Sequence, residues 1–212
     1  RSWTYLWAKG YKLGRDVDVL EAKKSVMYRE RIRGIRLELR YLLPSDVNEG
    51  YLRWFDDSET VRYLEARHIK HTIDSLKDFV IACSIKSREH LFGIFELSSD
   101  RHIGNIKIGP INVNHRSASV GLLIGEKDCR GKGYATEAID LALRHAFTNL
   151  NLHKLTAGII VGNEKSLHVF TKNHFIIEGV RRKQNFCDDE WRDEIMLGLL
   201  CDEYINVRET CD

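Results

Sequence analysis

The chain has 212 residues, 43% hydrophobic and 30% charged, a composition that suits one globular domain with a sizeable core. Its net charge of +2 excludes nucleic-acid binding driven by charge over the whole molecule, and no apolar run nears the roughly 18 residues of a membrane span. Five scattered cysteines (Cys83, Cys129, Cys187, Cys201, Cys211) without a C-x-x-C argue against a zinc site or disulfide framework. They fit free thiols in a reducing, cytoplasmic compartment, and no signal-peptide pattern opens the chain.

Residues 1–34 carry a net charge of +5 and leave the remainder at about −3. Within them, Asp18 to Arg31 has the spacing of a basic amphipathic helix, so 1–34 reads as a basic N-terminal extension. From Ile35 the pattern becomes regular. Ile35, Leu37, Leu39 and Tyr41 alternate with Arg36, Glu38 and Arg40, which predicts a half-buried strand. Pro44-Ser45-Asp46 opens a helix to about Phe55, capped by Ser45 or Asp46. A polar connection rich in aromatic residues leads to a second helix over Thr72–Lys86. Strands follow at Leu91–Leu97, Arg101–Ile111 and Ser117–Glu126. A helix runs from Ala135 to about Asn149, a strand from Lys154 to Val161 and a helix from Asn163 to Asn173. Two strands, Phe175–Arg182 and Trp191–Leu200, close the domain around a Cys187–Glu190 turn, and 201–212 reads as a tail. The order β-α-α-β-β-β-α-β-α-β-β predicts a mixed α/β fold over 35–200.

The segment Cys129-Arg130-Gly131-Lys132-Gly133-Tyr134-Ala135-Thr136 joins a strand to a helix. Its glycines permit unusual φ angles and its amides meet the positive end of the helix dipole, which is a site for phosphate oxygens. It lacks the G-x-G-x-x-G of a dinucleotide fold near the first strand and the G-x-x-x-x-G-K-[ST] of a Walker loop. The pattern Arg130-x-x-Gly133-x-Ala135, followed by Asn163-Glu164-Lys165-Ser166 and by His174-Phe175-x-x-Glu178-Gly179, resembles the GNAT superfamily of N-acetyltransferases. It is most similar to the branch holding ribosomal-protein and amino-sugar N-acetyltransferases, and the resemblance covers about Ile35 to Leu200.

The resemblance implies a GNAT-type acyl-CoA N-acyltransferase fold whose mixed sheet splays beside the strand preceding the loop. It implies acetyl-CoA as co-substrate, bound by Leu123, Ile124, Gly125, Arg130, Gly131, Lys132, Gly133, Tyr134, Ala135, Thr136 and Asn163. It implies no metal, and direct attack by a primary amine in a ternary complex. A backbone N–H around Ile124 or Gly125 would polarise the thioester. Asn163 would reach the pantetheine arm and Ser166 would protonate the thiolate. Relatives place a tyrosine acid where Phe170 stands and a glycine where His174 stands, so the tyrosine route is closed here and His174 is expected to be strained.

Glu126 is the first candidate for the base, with His115, Glu65, His68 and Glu38 as alternatives. Relatives that acetylate ribosomal proteins carry a glutamate at Asn185, which makes a ribosomal protein the weaker acceptor and favours a small-molecule amine such as an amino sugar. The acceptor pocket is expected from Trp54, Phe55, Tyr63, Glu65 and Arg67 with Asn185, Asp188, Trp191 and Asp193. A homodimer is open, nucleic acid is not expected as a partner, and the competing class is a non-catalytic acyl-CoA-binding or ribosome-associated module.

Overall fold

The computed structural model describes residues 30–85 and 88–209. Most of the expected basic helix at Asp18–Arg31 lies outside the described residues. Eight strands form one mixed sheet: β1 Arg31–Arg33, β2 Leu37–Tyr41, β3 His90–Glu96, β4 His102–Ile108, β5 Ser117–Ile124, β6 Lys154–Ile160, β7 Ile176–Cys187 and β8 Glu190–Leu200. Their spatial order is β1-β2-β3-β4-β5-β6-β8-β7. The sheet therefore starts inside the expected N-terminal extension.

The helices are α1 Glu49–Asp56, α2 Ser58–Val61, α3 Ile73–Ile85, α4 Tyr134–Arg144, α5 Glu164–Lys172 and α6 Cys201–Glu209. The expected helix from Pro44 begins instead as a 3-10 turn at Pro44–Asp46, where Asp46 accepts from the Leu43 amide at 2.7 Å. The α-helix starts at Glu49 because Asn48 caps it, its Oδ1 accepting from Tyr51 N at 3.0 Å. The α4 helix loosens into a π turn at His145–Asn149. The expected C-terminal tail is α6, whose buried Tyr204 packs on Phe147 with ring centroids 5.2 Å apart.

Two cores cover the sheet. One gathers Leu37, Phe92, Ile106, Ile139, Leu143, Leu155, Phe170 and Leu197 under α4, α5 and α6. The other gathers Tyr51, Trp54, Phe55, Leu76, Val80 and Leu91 under α1 and α3. The halves of the sheet are joined weakly. Parallel pairing between β5 and β6 holds only at Ser117, Ala118 and Ser119 against Lys154, Leu155 and Thr156. Beyond these, β5 continues to Ile124 and β6 to Ile160 without pairing, so the expected splay is present.

Candidate active site

The splay exposes backbone. In an antiparallel ladder, amides point alternately toward the partner and away from it. Gly125 N donates to Ile103 O at 2.9 Å and Gly109 N to Ser119 O at 2.8 Å, while the register places Ile124 opposite Gly104 and Leu122 opposite Ile106. The alternation turns the N–H and C=O of Leu122 and Ile124 away from β4 and into the gap left by β6. The Arg130 side chain agrees, its Nε–H donating to Ile124 O at 3.2 Å. Gly125 thus drops out as a donor to a thioester, because its amide is already spent, and Ile124 is left. Gly125 has a packing reason instead: a Cβ there would lie 1.9 Å from Trp54 Cδ2.

The loop after β5 makes a second backbone surface. Gly131 and Gly133 take positive φ, 73° and 81°, and a Cβ at Gly131 would meet open space. Gly133 stands at the N-cap of α4 with no capping side chain, and the first helical bond runs from Glu137 N to Gly133 O at 3.1 Å. The amides of Tyr134, Ala135 and Thr136 therefore have no partner within the helix and coincide with the positive end of its dipole. Arg130 contributes neither an amide nor a free guanidinium. Its N–H bonds Lys127 O at 3.2 Å, and its side chain bonds Ile124 O, Gly125 O (3.1 Å) and the Thr60 hydroxyl. It clamps loop to strand, and the anion surface narrows to 131–136. Lys132 is exposed, while its carbonyl accepts from Arg36 Nη1 at 2.8 Å. Tyr134 Oη donates to Glu96 at 2.8 Å, and the Arg36 guanidinium sits 4.7 Å over its ring.

Between the halves of the sheet lies a cavity of about 120 Å³. Val120 to Leu123 of β5 and Gly158 to Ile160 of β6 wall it, and Asn163, Ser166 and Phe170 of α5 close one side. Asn163 is the N-cap of α5, its Oδ1 accepting from Ser166 N at 3.3 Å, so capping and lining the cavity coexist. Phe170 is fully buried against Phe175, with centroids 5.0 Å apart. His174 takes φ of 66°, the strained αL conformation expected where relatives carry glycine.

The charged lining differs from expectation. Glu126 is not among the cavity residues, and its Oε1 accepts from Trp54 Nε1 at 2.7 Å. Glu38 is buried between Arg31 and Arg33; burial pushes its carboxyl up, but the hydrogen bonds and charges of both guanidiniums outweigh this and hold it below the ordinary value. His68 and His115 are exposed and away from the cavity. Of the base candidates only Glu65 lines it, and among the described residues Glu65 accepts no hydrogen bond, its neighbour Arg67 standing 3.8 Å away. The remaining charges are Lys107 of β4, buried and 2.9 Å from Glu89, and Glu194 of β8, buried and 3.1 Å from Arg181.

Tyr63 also lines the cavity, its hydroxyl donating to Gly162 O at 2.8 Å. The other expected acceptor residues sit elsewhere. Trp54 and Phe55 are core, and Asn185 is buried off the cavity. Arg67 bonds Leu64 O and Phe186 O, Asp188 bridges Arg62 and Arg192, and Asp193 accepts from Lys183 N. Trp191 is 61% exposed against Phe186. Asn105, Lys107 and Glu194 were missed. The alternation of Asn105 and Lys107 with Ile106 and Ile108 marks a polar strand face, but only the packing of α3 shows that this face is buried.

Comparison with known proteins agrees with this geometry. The family model for the GNAT acetyltransferase domain matches residues 36–176. The spermidine N(1)-acetyltransferase of Escherichia coli (strain K12) is 30% identical over 178 residues, 82% of this chain and 87% of its own length. A probable N-acetyltransferase of Bacillus subtilis is 36% identical over 116 residues, 54% of this chain and 64% of its own. The structure of spermidine N-acetyltransferase from Vibrio cholerae with CoA and spermine superposes at a TM-score of 0.73, with 26% identity over 81% of this chain and 99% of that one. No helix among the described residues is long and apolar enough to cross a membrane. With a splayed mixed sheet, an uncapped helix N-terminus beside it and these relatives, the chain belongs to the GNAT family and is an acetyl-CoA-dependent N-acetyltransferase.

Proposed function

We propose that the protein acetylates the primary amine of a small molecule, with Glu65 as base and Ser166 as acid. The observation that carries this reading is that Ser166, Glu65 and the splayed strand β5 line one cavity of about 120 Å³. The amides of Gly131 to Thr136 suit the diphosphate of acetyl-CoA, and the exposed edge of β5 suits the amides of its pantetheine arm. Glu65 takes a proton from the acceptor ammonium, whose ordinary pKa is about 10. The amine nitrogen then attacks the thioester carbonyl carbon, and the Ile124 N–H receives the charge that develops on its oxygen. The C–S bond breaks, Ser166 Oγ–H gives its proton to the departing thiolate, and the second proton shed by the nitrogen as it becomes an amide returns through water to the Ser166 oxygen. Fixing both reactants in one cleft can lower the barrier by more than the proton transfers do.

A small acceptor is favoured over a ribosomal protein by the size of the cavity and by relatives named for spermidine; the names of these relatives do not support the narrower amino-sugar expectation. Incubating the protein with acetyl-CoA and a panel of aliphatic amines, amino alcohols, amino sugars and N-terminal peptides, read by mass spectrometry, tests the reading. Acetylation of a small amine is expected, and acetylation confined to peptides would overturn it.

A further inference from the structure

The Arg130 guanidinium is turned onto Ile124 O, Gly125 O and Thr60. A second arginine reaches the same loop from outside the sequence motif. Arg36 immediately precedes β2, and its guanidinium spans the loop and the start of α4. Nη1 donates to Lys132 O at 2.8 Å, and Nε donates to Glu137 Oε2, in the first turn of α4, at 2.9 Å. The other carboxylate oxygen, Glu137 Oε1, accepts from Arg36 N at 2.7 Å and from Leu37 N at 3.1 Å. The same guanidinium lies 4.7 Å over the Tyr134 ring, and Tyr134 Oη donates to Glu96 of β3 at 2.8 Å. Nη2 lies alongside Gly133, the N-cap of α4, 3.4 Å from where a Cβ would stand. One side chain thus ties the loop and the first turn of the helix to β2.

We propose that Arg36 is a positioning residue for acetyl-CoA: it holds the amides of residues 131–136 in the arrangement that receives the diphosphate. The proposal rests on the reading that the diphosphate lies on those amides. Three effects point the same way. A charged donor on Lys132 O fixes the peptide plane that this carbonyl shares with the Gly133 N–H, because a trans peptide is planar. Gly131 and Gly133 give the loop more conformational freedom to lose than other residues would, and a loop ordered before binding does not lose it on binding. Glu137 places a carboxylate in the first turn of α4, where it would repel a diphosphate. Three N–H groups of Arg36 and Leu37 occupy that carboxylate, and the guanidinium offsets its charge. No member of the Arg130-x-x-Gly133-x-Ala135 motif supplies this brace; it comes from a residue 101 positions before Glu137.

The test uses Arg36→Met, which removes every bond of the guanidinium, and Arg36→Lys, which keeps the charge and loses the planar fork. Titration calorimetry measures the affinity of the full chain and of each variant for CoA and for pantetheine, which keeps the thiol arm and lacks the diphosphate. The ratio of the two affinities is the quantity to follow, because damage to the fold alone lowers both together. In Arg36→Met the ratio is expected to fall about fivefold or more in favour of pantetheine. A smaller fall overturns the proposal, an equal loss for both ligands included. If Arg36→Met does not fold, Arg36→Lys decides alone, with a fall of about twofold or more expected and a smaller one overturning the proposal. A different result is CoA binding the unmodified protein no more tightly than pantetheine. The diphosphate then adds nothing to binding, so the reading that places it on the loop fails, and the proposal with it.

Discussion

The two sides of the cleft are built from different materials. On the side proposed for the cofactor, the surfaces are backbone: the amides of Leu122 and Ile124 that turn away from β4 and the amides of Tyr134 to Thr136 at the start of α4. On the side proposed for the acceptor they are side chains gathered from far apart, with Glu65 from a 3-10 turn, Lys107 from β4 and Glu194 from β8 lining one cavity. A backbone site needs a strand end, a tight loop and a helix start, which are contiguous in sequence. A side-chain site needs the finished fold to bring its members together.

This contrast predicts where substitutions act. The largest effect is expected from Glu65→Gln, which should lower kcat by about 10²- to 10⁴-fold while coenzyme A binding, measured by titration calorimetry, is unchanged. Unchanged turnover would contradict Glu65 as the base. Ser166→Ala should cost somewhat less, about 10²-fold in kcat, since water can protonate the thiolate in its place; retained CoA affinity in the same assay separates lost chemistry from lost binding.

On the cofactor side, acid should act through α4. His145, in the π turn ending that helix, is 2% exposed, and among the described residues neither ring nitrogen has a hydrogen-bond partner, although Glu30 Oε1 lies 3.1 Å from Nδ1 without the geometry for one. Burial, with the neighbouring His90, lowers its pKa from 6.5 to about 4. Because the folded protein binds this proton less readily than the unfolded chain, stability is full above about pH 6.5 and falls as pH drops toward 4, by up to about 3 kcal/mol. Urea unfolding at pH 7 and pH 4.5 measures it, and His145→Gln should flatten the difference.

The smallest effect is at His174, where φ of 66° strains a non-glycine residue. His174→Gly should raise stability by about 1 kcal/mol, visible as a higher Tm, with kcat unaltered.

Legibility in the sequence followed the same division. The loop at Arg130 to Thr136, the Asn163–Ser166 pair and the strained His174 could be read because each is a local pattern. The role of Arg130 could not: its guanidinium turns back to Ile124 O and Gly125 O, and nothing in a one-dimensional pattern distinguishes a clamp from a phosphate ligand. Glu126 looked apt by proximity to β5, yet the strand end carries it to Trp54. Asp193 was chosen where Glu194 lines the cavity, a slip of one residue that the twofold alternation of a strand turns into the opposite face. Lys107 stood unread within an apolar strand because its counter-ion, Glu89, comes from just before β3.

The central claim is that acetyl-CoA lies along β5 with its diphosphate on the amides that begin α4. A crystal structure of the protein with coenzyme A tests it most directly. The diphosphate oxygens should fall within about 3 Å of the amides of Tyr134, Ala135 and Thr136, with the pantetheine amides paired to Leu122 or Ile124. A diphosphate found elsewhere, or a pantetheine arm leaving the β5 edge uncovered, would contradict it.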